Sequence, residues 1–314
     1  MTIEPPLKQL QEALIQRLGP ACVRAGEPLA RHTFYRIGGP AGLFVTVKSA
    51  GALATAVVLA RENKVPCLVL GAGTNVLVSD RGVQGLAIKN RAKAVTWSVQ
   101  DDKAVVTAES GASLSRLARQ MARQGWDGLS WACGIPGTVG GGVVQNAGAH
   151  GFSIASVLQS ATVLDEHNLT RRVPAEELEL GYRSSIFRKR IGPPWVILSA
   201  EVTLQRGDAK ELASRISAYD AWRRARQPAG ASCGSVFKNP QGDYAGRLIE
   251  AAGLKGERSG GAEVSSLHAN FFVNTGGATA ADVMALIDRA RDEVRRQFGV
   301  TLELESELVG KWQT

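Results

Sequence analysis

Apolar residues recur along the chain with two different spacings, and these spacings predict its secondary structure. Intervals of three and four residues predict helices over residues 7–18, 50–63, 114–122, 208–226, 244–252 and 280–298. Runs of β-branched and apolar residues predict strands over residues 43–48, 94–99, 104–109, 157–164, 195–204, 235–238, 271–274 and 300–309. Because helices and strands interleave along the chain, the pattern predicts a protein of mixed helix and sheet.

The helix predicted over residues 280–298 has the clearest ends. Thr279 precedes it and Asp282 follows three residues later, which is the spacing of a capping box. Gly299 follows the last apolar position, as is typical of a helix C-terminus. Further upstream, the sequence QPAGASCG interrupts the helical pattern and favours a domain boundary near residues 222–230.

One strand pattern ends in Gly71-Ala72-Gly73, and many nucleotide-binding loops begin with such a sequence. A dinucleotide-binding fingerprint needs a third glycine where this chain has Val76, and it needs a helix where β-forming residues follow. No Gly-Lys-Ser or Gly-Lys-Thr follows, which excludes a Walker A motif. Two interpretations stay open: a tight turn between strands, and a backbone anion site to which Thr74 and Asn75 add hydrogen bonds.

A second glycine-rich segment, WACGIPGTVGGGVVQNAGAHG, covers residues 131–151. Each glycine costs backbone entropy on folding, so such a run indicates that the chain approaches a ligand closely. Asn146 in this segment is suited to contact an isoalloxazine ring or a ribose. Two separate glycine-rich loops in a β-rich region predict a large cofactor that lies between them.

Composition limits the class of protein. The 314 residues suffice for two or three domains, and 44% hydrophobic with 21% charged residues is ordinary for a globular protein. The formal charge of 37 − 29 = +8 is compatible with binding either nucleic acid or a small polyphosphate. No apolar run is long enough to span a bilayer, and the N-terminus carries Glu4 and lacks the core of a signal peptide. We therefore expect a cytoplasmic protein.

The four cysteines and four histidines are widely spaced. Neither C-x-x-C nor H-x-x-x-H spacing occurs, so we expect reduced thiols and no metal site. The densest basic cluster is AWRRARQP at residues 221–228, for which a solvated helix face is the simplest interpretation.

Eight longer stretches occur in a fixed order: HTFYRIGGPA, LGAGTNVLVSD, GIPGTVGGGVVQNAGAHG, GYRSSIFR, CGSVFKNP, AGRLIEAAGLKG, SSLHANFFVNTGGATAADV and GVTLELE. They extend from residue 32 to residue 305 and so cover nearly the whole chain. In this combination the chain resembles the UDP-N-acetylenolpyruvoylglucosamine reductase (MurB) family, flavoenzymes of peptidoglycan synthesis. Its length is similar to that of the shorter subtype of this family.

The resemblance implies an α+β fold, with a vanillyl-alcohol-oxidase-like (PCMH-type) FAD-binding fold and a C-terminal α/β substrate domain. It implies a first FAD-binding lobe over residues 1–80, to which the C-terminal strand 299–314 returns, a second lobe over 81–220 and a substrate-binding domain over 221–298. It further implies non-covalent FAD, NADPH as hydride donor, and reduction of UDP-N-acetylglucosamine enolpyruvate to UDP-N-acetylmuramate. Neither a nucleic acid partner nor a membrane span belongs to this expectation.

The resemblance also implies which residues bind cofactor and substrate. The implied cofactor-binding residues are Gly71, Ala72, Gly73, Thr74, Asn75, Cys133, Gly134, Gly137, Thr138, Gly140, Asn146, Ala147 and Gly148, with the first loop at the FAD pyrophosphate. The implied substrate-binding residues are Tyr182, Lys238, Asn239, Arg247 and His268. Lys238, Asn239 and Arg247 are expected at the UDP diphosphate and sugar, whereas His268 is equally compatible with a core histidine.

Three residues match catalytic positions of the family. The resemblance implies that Arg183 binds the enolate that forms, that Glu305 stabilises its other side, and that Ser235 gives a proton to the α-carbon. From the residues alone, Arg183 is also compatible with a surface ion pair and Ser235 with a turn. Glu305 is also compatible with the solvent face of a half-buried strand.

Two other functions are compatible with parts of the sequence. A different FAD-dependent oxidoreductase of the same fold would act on a small alcohol or sugar, and such enzymes often tether their flavin through a histidine. A basic nucleic-acid-binding protein would be colourless and would bind DNA or RNA with salt-dependent affinity.

Overall fold

The computed structural model of the protein describes residues 5–189 and 194–312, so Glu4 and residues 313–314 of the predicted C-terminal segment lie outside the described residues. Contacts within the chain group it into two compact units. Unit 1 comprises Met1–Arg24, Leu43–Ala72 and Leu86–Trp222, and unit 2 comprises Ala25–Gly42, Gly73–Gly85 and Arg223–Thr314. The three segments implied by the resemblance divide the chain differently, and they stay a prediction.

Helices and strands interleave along the described residues, as the sequence predicts. The helices are α1 (Pro5–Leu18), α2 (Ala50–Glu62), α3 (Leu114–Arg123), α4 (Val139–Gln145), α5 (Ile186–Lys189), α6 (Ala209–Arg226), α7 (Ala245–Ala251) and α8 (Ala280–Phe298). The strands are β1 (Val23–Ala25), β2 (Ala41–Val47), β3 (Cys67–Leu70), β4 (Val76–Val78), β5 (Val83–Asn90), β6 (Val95–Gln100), β7 (Lys103–Glu109), β8 (Trp126–Asp127), β9 (Gly148–Ala149), β10 (Phe152–Ser153), β11 (Leu158–Leu164), β12 (Thr170–Pro174), β13 (Val196–Arg206), β14 (Ala231–Ser235), β15 (Arg258–Ser259), β16 (Ala262–Val264), β17 (Phe271–Asn274) and β18 (Glu307–Val309).

The described residues lack two features. In that part of the chain, no helix combines the length and the apolar composition that a membrane crossing needs. The same part contains no group of three or more His, Cys, Asp and Glu side chains arranged to hold a metal ion.

A six-stranded antiparallel sheet forms the centre of unit 1. Its path runs β12-β11-β13-β7-β6, and β8 pairs with β13 beside it. Every second residue of β7 is buried, namely Ala104, Val106 and Ala108. These residues belong to one apolar core with Leu117 of α3 and Val143 of α4. The alternation follows from the period of two along a strand, which turns one face of the sheet toward the helices.

A second sheet, with strand order β1-β2-β5-β3, contributes to another core of unit 1. Strands β3 and β5 are parallel, with Cys67 opposite Leu86 and Leu70 opposite Lys89. Leu10 of α1 is fully buried in this core, as are apolar residues of α2. The chain leaves β3 at its C-terminal end, and the first glycine-rich loop begins there.

Unit 2 is built on a four-stranded sheet of order β14-β17-β16-β15. Helices α7 and α8 share its apolar core, to which they contribute residues such as Leu248 and Ile287. The capping box predicted for α8 is confirmed: Thr279 Oγ1 accepts a hydrogen bond from Asp282 N, and the Asp282 carboxylate accepts one from Thr279 N. The predicted C-terminal Gly299 is left-handed, with φ of +69°.

After α8 the chain returns to a short parallel pair of strands. β18 runs beside β4, with Leu308 opposite Leu77. Asp80, which follows β4, accepts hydrogen bonds from Ala280 N at 2.8 Å and Ala281 N at 3.0 Å. These bonds satisfy free N–H groups at the start of α8 and fix the β4 segment to that helix within unit 2.

The second glycine-rich segment differs from its prediction, which is a loop over residues 134–151. Val139–Gln145 form α4 instead. Thr138 caps this helix, because its hydroxyl accepts a hydrogen bond from Gly141 N at 3.3 Å. Val143 is fully buried in the core of unit 1, and such packing outweighs the low helix propensity of three consecutive glycines.

Two predicted strands differ from the structure in position or length. The strand predicted over residues 235–238 lies at Ala231–Ser235, within the stretch that the glycine and proline content marked as a break. Pairing with β17 determines this position, and local composition does not contain that information. The final strand predicted over residues 300–309 is limited to Glu307–Val309.

Candidate active site

The two glycine-rich loops meet within unit 1. A Cβ atom added to Gly71 would lie 2.5 Å from Thr138 Oγ1, so a side chain at this position needs a shift of the surrounding chain. This close approach explains the glycine at the end of β3. The rest of the first loop, residues 73–75, belongs to unit 2.

The backbone beside this contact carries small side chains or none. Ala72 and Gly141 are exposed, and among the described atoms outside the backbone of α4 and the neighbouring residues, only Thr138 Oγ1, at 3.5 Å, lies within 4 Å of a Cβ added to Gly141. Gly140, in contrast, packs against Ser110, whose Cβ would lie 2.8 Å from an added Cβ. Because Gly141 has no side chain and Ala72 has only a methyl group, a large flat group can approach this backbone closely. The segment therefore fits FAD, the group that the resemblance implies.

Asn146 ends α4 and holds a second loop in place. Its backbone is left-handed, with φ of +41°, which asparagine adopts more readily than most residues. Its Nδ2 donates to Gly181 O at 2.9 Å, and its Oδ1 accepts from Ala155 N at 3.0 Å. Because both polar ends of this buried side chain are engaged by the chain itself, Asn146 fixes the loop that carries Arg183.

Arg183 lies at the tip of a tight turn. Gly181 and Ser184 exchange two backbone hydrogen bonds of 3.1 and 3.2 Å, and the exposed Tyr182 precedes Arg183 between them. Arg183 has φ of +50°, a conformation that surrounding structure must enforce in a non-glycine residue. Its Nη2 donates to Gly148 O at 3.2 Å. The second glycine-rich segment therefore contacts the predicted catalytic arginine directly.

Ser235 and Glu305 are neighbours in unit 2. Ser235 ends β14, and Glu305 N donates to the carbonyl oxygen of the next residue, Val236, at 2.9 Å. An isolated bridge between Phe237 and Leu304 extends this pairing. Both predicted catalytic residues are half-buried. A hydroxyl and a carboxyl group are thus carried on adjoining backbone segments, as proton donation next to a stabilising group requires.

The remaining part of the first loop packs on the backbone of unit 2. Gly73 has φ of +74°, and a Cβ added to it would lie 2.4 Å from His32 O. Thr74 and Asn75 are half-buried, and the Asn75 amide donates to the carbonyl oxygen of Glu305. The glycine at position 73 is therefore needed by the fold itself, independently of any ligand.

Cys133 lies in the interior of unit 1. Its Sγ is 3.7 Å from Asp220 Oδ1, and its carbonyl oxygen accepts a hydrogen bond from Arg119 Nη2 at 3.3 Å. Burial raises the pKa of the Cys133 thiol, which is therefore neutral near pH 7.

The half-buried members of the predicted cofactor set in unit 1 are Gly71, Gly134, Gly137, Ala147 and Gly148.

The predicted diphosphate-binding residues lie before and within α7. Asn239 Oδ1 accepts a hydrogen bond from the N-terminus of α7 at 3.1 Å. Lys238 Nζ pairs with Glu303 at 3.3 Å, and Arg247 Nε donates to Asp243 at 2.7 Å. The hydrogen bond from Arg247 lowers the pKa of Asp243 to about 2, so this pair is charged near neutral pH. An anionic substrate group would compete with these carboxylates for the two cations.

His268 is packed beside α7. Its Nδ1 accepts a hydrogen bond from Asn270 N at 3.2 Å, and its ring meets Phe271 edge to face with centroids 4.9 Å apart. A Cβ added to Gly246 would lie 2.9 Å from His268 Cε1. Burial lowers the pKa of His268 below its ordinary value. The ring is therefore a neutral, closely packed acceptor, whatever its role toward a substrate.

Sequence patterns did not single out Cys233 and Ser306. Their Sγ and Oγ atoms lie 3.1 Å apart, and both residues are buried in unit 2. Cys233 is two residues from Ser235, and Ser306 follows Glu305. Position next to a predicted catalytic residue was the available signal, but it does not reveal that the two side chains meet.

Comparisons with known proteins agree with these features. Residues 226–309 match the sequence model of the UDP-N-acetylenolpyruvoylglucosamine reductase C-terminal domain, and residues 41–172 match that of an FAD binding domain. The UDP-N-acetylenolpyruvoylglucosamine reductase of Chloroflexus aurantiacus is 44% identical over 292 residues, which cover 92% of this chain and 98% of the relative. That of Rubrobacter xylanophilus is 46% identical over 302 residues, which cover 96% and 100%.

A solved relative extends the likeness to three dimensions. The crystal structure of UDP-N-acetylenolpyruvylglucosamine reductase (MurB) from Thermus caldophilus has a TM-score of 0.76 to this chain at 34% identity, and covers 91% of this chain and 99% of its own. With the FAD binding domain match, it confirms the predicted α+β, vanillyl-alcohol-oxidase-like fold class. The chain belongs to the UDP-N-acetylenolpyruvoylglucosamine reductase family.

Proposed function

We propose that this protein acts as a UDP-N-acetylmuramate dehydrogenase, which uses NADPH and FAD to reduce UDP-N-acetylglucosamine enolpyruvate to UDP-N-acetylmuramate in peptidoglycan synthesis. The backbone pairing of the Ser235 and Glu305 segments carries the proposal, because the two residues that we assign as proton donor and stabilising carboxyl group lie on these neighbouring segments. Identities of 44% and 46% to two reductases over nearly their full lengths support the same activity. The match of residues 226–309 to the family's C-terminal domain favours it over another flavoenzyme of this fold.

The proposal assigns FAD to the bare backbone of the two glycine-rich loops. Bound FAD supplies hydride transfer, from NADPH to the enolpyruvyl double bond. Gly71 and Gly137, which lack side chains, and Ala72, which has only a methyl group, offer backbone groups to the phosphates. Hydrogen bonds within unit 1 hold the ends of α4 beside them: Thr138 caps its start, and Asn146 joins its end to Gly181.

The enolpyruvyl group needs both charge stabilisation and a proton. Once a hydride has reached its terminal carbon, the electron pair of the double bond lies on the α-carbon and its carboxylate. We assign Arg183 to bind this carboxylate through its planar guanidinium, and Glu305 to donate a hydrogen bond to the other side. Ser235 gives its hydroxyl proton to the α-carbon and recovers a proton from water, so that H⁻ and H⁺ have been added across the double bond.

We assign the nucleotide part of the substrate to the residues around α7. Lys238 and Arg247 supply positive charge for the diphosphate, and Asn239 a polar contact to the sugar. On binding, the diphosphate replaces Glu303 and Asp243 as the partner of these cations. Tyr182 and His268 complete the predicted substrate set.

We also place the protein in the cytoplasm. The four cysteines, Cys22, Cys67, Cys133 and Cys233, are free thiols. Free thiols persist in a reducing compartment, which supports this assignment.

Single-turnover kinetics tests the catalytic assignment, because the two halves of the reaction can be followed separately by flavin absorbance. NADPH first reduces the flavin-loaded protein without oxygen, and the enolpyruvyl substrate then reoxidises it. Ser235→Ala is expected to leave reduction nearly unchanged and to slow reoxidation by at least about 100-fold. Ser79→Ala, which removes a buried hydroxyl elsewhere in unit 2, is the control. Equal slowing of both halves, or a protein that takes up no FAD, would contradict the proposal.

A further inference from the structure

A buried hydroxyl links the two segments that carry Ser235 and Glu305. Ser306 is 4% exposed, and its Oγ lies 3.1 Å from Cys233 Sγ and 3.4 Å from Ser235 O. Since a carbonyl oxygen only accepts hydrogen bonds, Ser306 donates to Ser235 and has a lone pair left for Cys233. Cys233 is 3% exposed, and burial raises the pKa of its thiol to about 12. The thiol therefore stays protonated and donates a hydrogen bond to the Ser306 hydroxyl.

The contact acts on an irregular part of β14. Strand pairing places Ser232 opposite Val273 and Ser235 opposite Phe271, so β14 has one residue more than β17 in this interval. The extra residue is a β-bulge, a feature that changes the direction of the following side chain. Gly234 lies within it at φ of +80°, and a Cβ added there would have no described atom within 4 Å.

Backbone pairing between the Ser235 and Glu305 segments lies beyond the bulge. Glu305 N and Ser306 N donate to Val236 O at 2.9 and 3.3 Å, and Lys238 N donates to Glu303 O at 2.8 Å. All of these bonds lie after Ser235. The Ser306 hydroxyl, in contrast, reaches Ser235 O and the Cys233 side chain within the bulge itself.

We propose that Ser306, together with Cys233, is a positioning residue that fixes the bulge and thereby sets the Ser235 hydroxyl and the Glu305 carboxyl relative to each other. This inference rests on the proposed function, in which those two groups complete the reduction of the substrate. Loss of the Ser306 hydroxyl leaves Ser235 paired with Phe271 but removes the side-chain contacts of Ser306 with Ser235 O and Cys233 at the bulge. Displacement of a proton donor by a fraction of an ångström slows the step it serves.

The test compares half-reaction rates of the flavin-loaded protein. Ser306→Ala and Cys233→Ala are each expected to slow reoxidation by the enolpyruvyl substrate by about tenfold, with flavin reduction by NADPH unchanged. The double variant is expected to be no slower than either single variant, because the pair acts as one unit. Cys233→Ser retains a donor and is expected to keep most of the wild-type rate, which a purely packing role of the sulfur does not predict. Ser79→Ala again provides a buried-hydroxyl control.

The outcomes separate this inference from the proposed function. If Ser235→Ala slows reoxidation but Ser306→Ala and Cys233→Ala do not, the positioning role is wrong and the proposed function stands. If Ser235→Ala itself leaves reoxidation unchanged, the proposed function fails first. Multiplicative effects of the two single variants, or equal slowing in both half-reactions, also overturn the positioning role. Where Ser306→Ala or Cys233→Ala does not fold, loss of the wild-type reoxidation rate in the folded Cys233→Ser variant overturns it.

Discussion

The side-chain amide of Asn75 donates a hydrogen bond to the carbonyl oxygen of Glu305 at 3.2 Å. The carbonyl oxygen of Asn75 in turn accepts one from Glu307 N at 3.0 Å. Both bonds lie within unit 2, and they hold the backbone of Glu305 from its C-terminal side. The first glycine-rich loop therefore supports the predicted catalytic carboxyl group in addition to any contact with FAD.

The Asn75 contact predicts a defect in one half-reaction. Asn75→Ala removes the side-chain bond but keeps the backbone bond to Glu307, so we expect the protein to retain FAD. We expect reoxidation by the enolpyruvyl substrate to slow by about tenfold, because Glu305 loses part of its support. Flavin absorbance of the purified variant and stopped-flow reoxidation measure the two quantities. Loss of FAD with a normal rate in the remaining loaded fraction would show instead that Asn75 serves the cofactor.

Asn146 predicts a similar effect through Arg183. Asn146→Asp keeps an acceptor for Ala155 N and tolerates the left-handed backbone, but it removes the donor to Gly181 O. We expect substrate reoxidation to slow by about tenfold, since the turn that carries Arg183 is released. Flavin content and the NADPH half-reaction are expected to stay near wild type. A variant with normal reoxidation would indicate that the Gly181–Ser184 turn holds Arg183 without this bond.

These asparagines show how much of the site the sequence predicts. The sequence motifs and their order along the chain identified both glycine-rich loops and the three catalytic candidates, because the family's loops have characteristic sequences. The partners of the loop side chains were not predictable, since they lie far away in the sequence. Asn75 is 230 residues from Glu305, and Asn146 is 35 residues from Gly181. Such contacts depend on the tertiary structure and leave no periodic signal.

Secondary structure was predictable where local signals agree with tertiary packing. Helix α8 has a capping box at Thr279, a left-handed Gly299 and an apolar stripe, and its bounds were predicted correctly. Helix α4 was missed and strand β14 was predicted too far along the chain, because each is made of residues with low propensity for the state they adopt. A buried valine face stabilises the first, and pairing with β17 stabilises the second.

His268 predicts a loss of stability in mild acid. Burial lowers its pKa, with Lys255 acting in the same direction and Glu250 opposing it. The ordinary histidine pKa of 6.5 applies in the unfolded chain, so as the pH falls below 6.5 the unfolded chain takes up this proton more readily than the folded protein. The free energy of unfolding therefore decreases as pH falls. Urea unfolding of the substrate-free protein at pH 7.5 and 5.5 measures this decrease.

The matched variant for this measurement is His268→Gln, which retains an acceptor without a titrating group. We expect a smaller decrease between the two pH values in His268→Gln than in the wild type. Equal decreases in both proteins would assign the acid sensitivity to other groups.

The buried hydroxyl of Tyr35 suggests a stabilising substitution. Its side chain is fully buried, and its hydroxyl has no hydrogen-bond partner among the described residues. Burial raises the pKa of the phenol, which therefore stays neutral. Tyr35→Phe keeps the ring and removes the unsatisfied group, so we expect the free energy of unfolding to rise by about 1 kcal/mol. Chemical denaturation of both proteins gives the difference, and a decrease would show that the hydroxyl has a partner in solution.

A substitution at Gly141 tests where FAD lies on the chain. It is exposed within α4, and an added Cβ would approach Thr138 Oγ1 only to 3.5 Å among the described atoms, so Gly141→Ala is compatible with the fold. Alanine favours a helix over glycine by about 1 kcal/mol, and we expect the FAD-free variant to be at least as stable as the wild type. If FAD lies on this backbone, the added methyl group stands in its place, and we expect FAD affinity to fall by about tenfold. Gly73 is unsuitable for the same test, because a Cβ added to it would lie 2.4 Å from His32 O and would disturb the fold itself.

The control is Gly51→Ala in α2, where an added Cβ meets no described atom within 4 Å. This residue is also exposed and helical, so the stability gain should be similar while FAD affinity stays unchanged. Fluorescence titration of the FAD-free proteins measures affinity, and thermal unfolding measures stability. Wild-type affinity in Gly141→Ala would place FAD away from α4. A fall in both affinity and stability in Gly141→Ala, without one in Gly51→Ala, would instead show that α4 does not tolerate the methyl group.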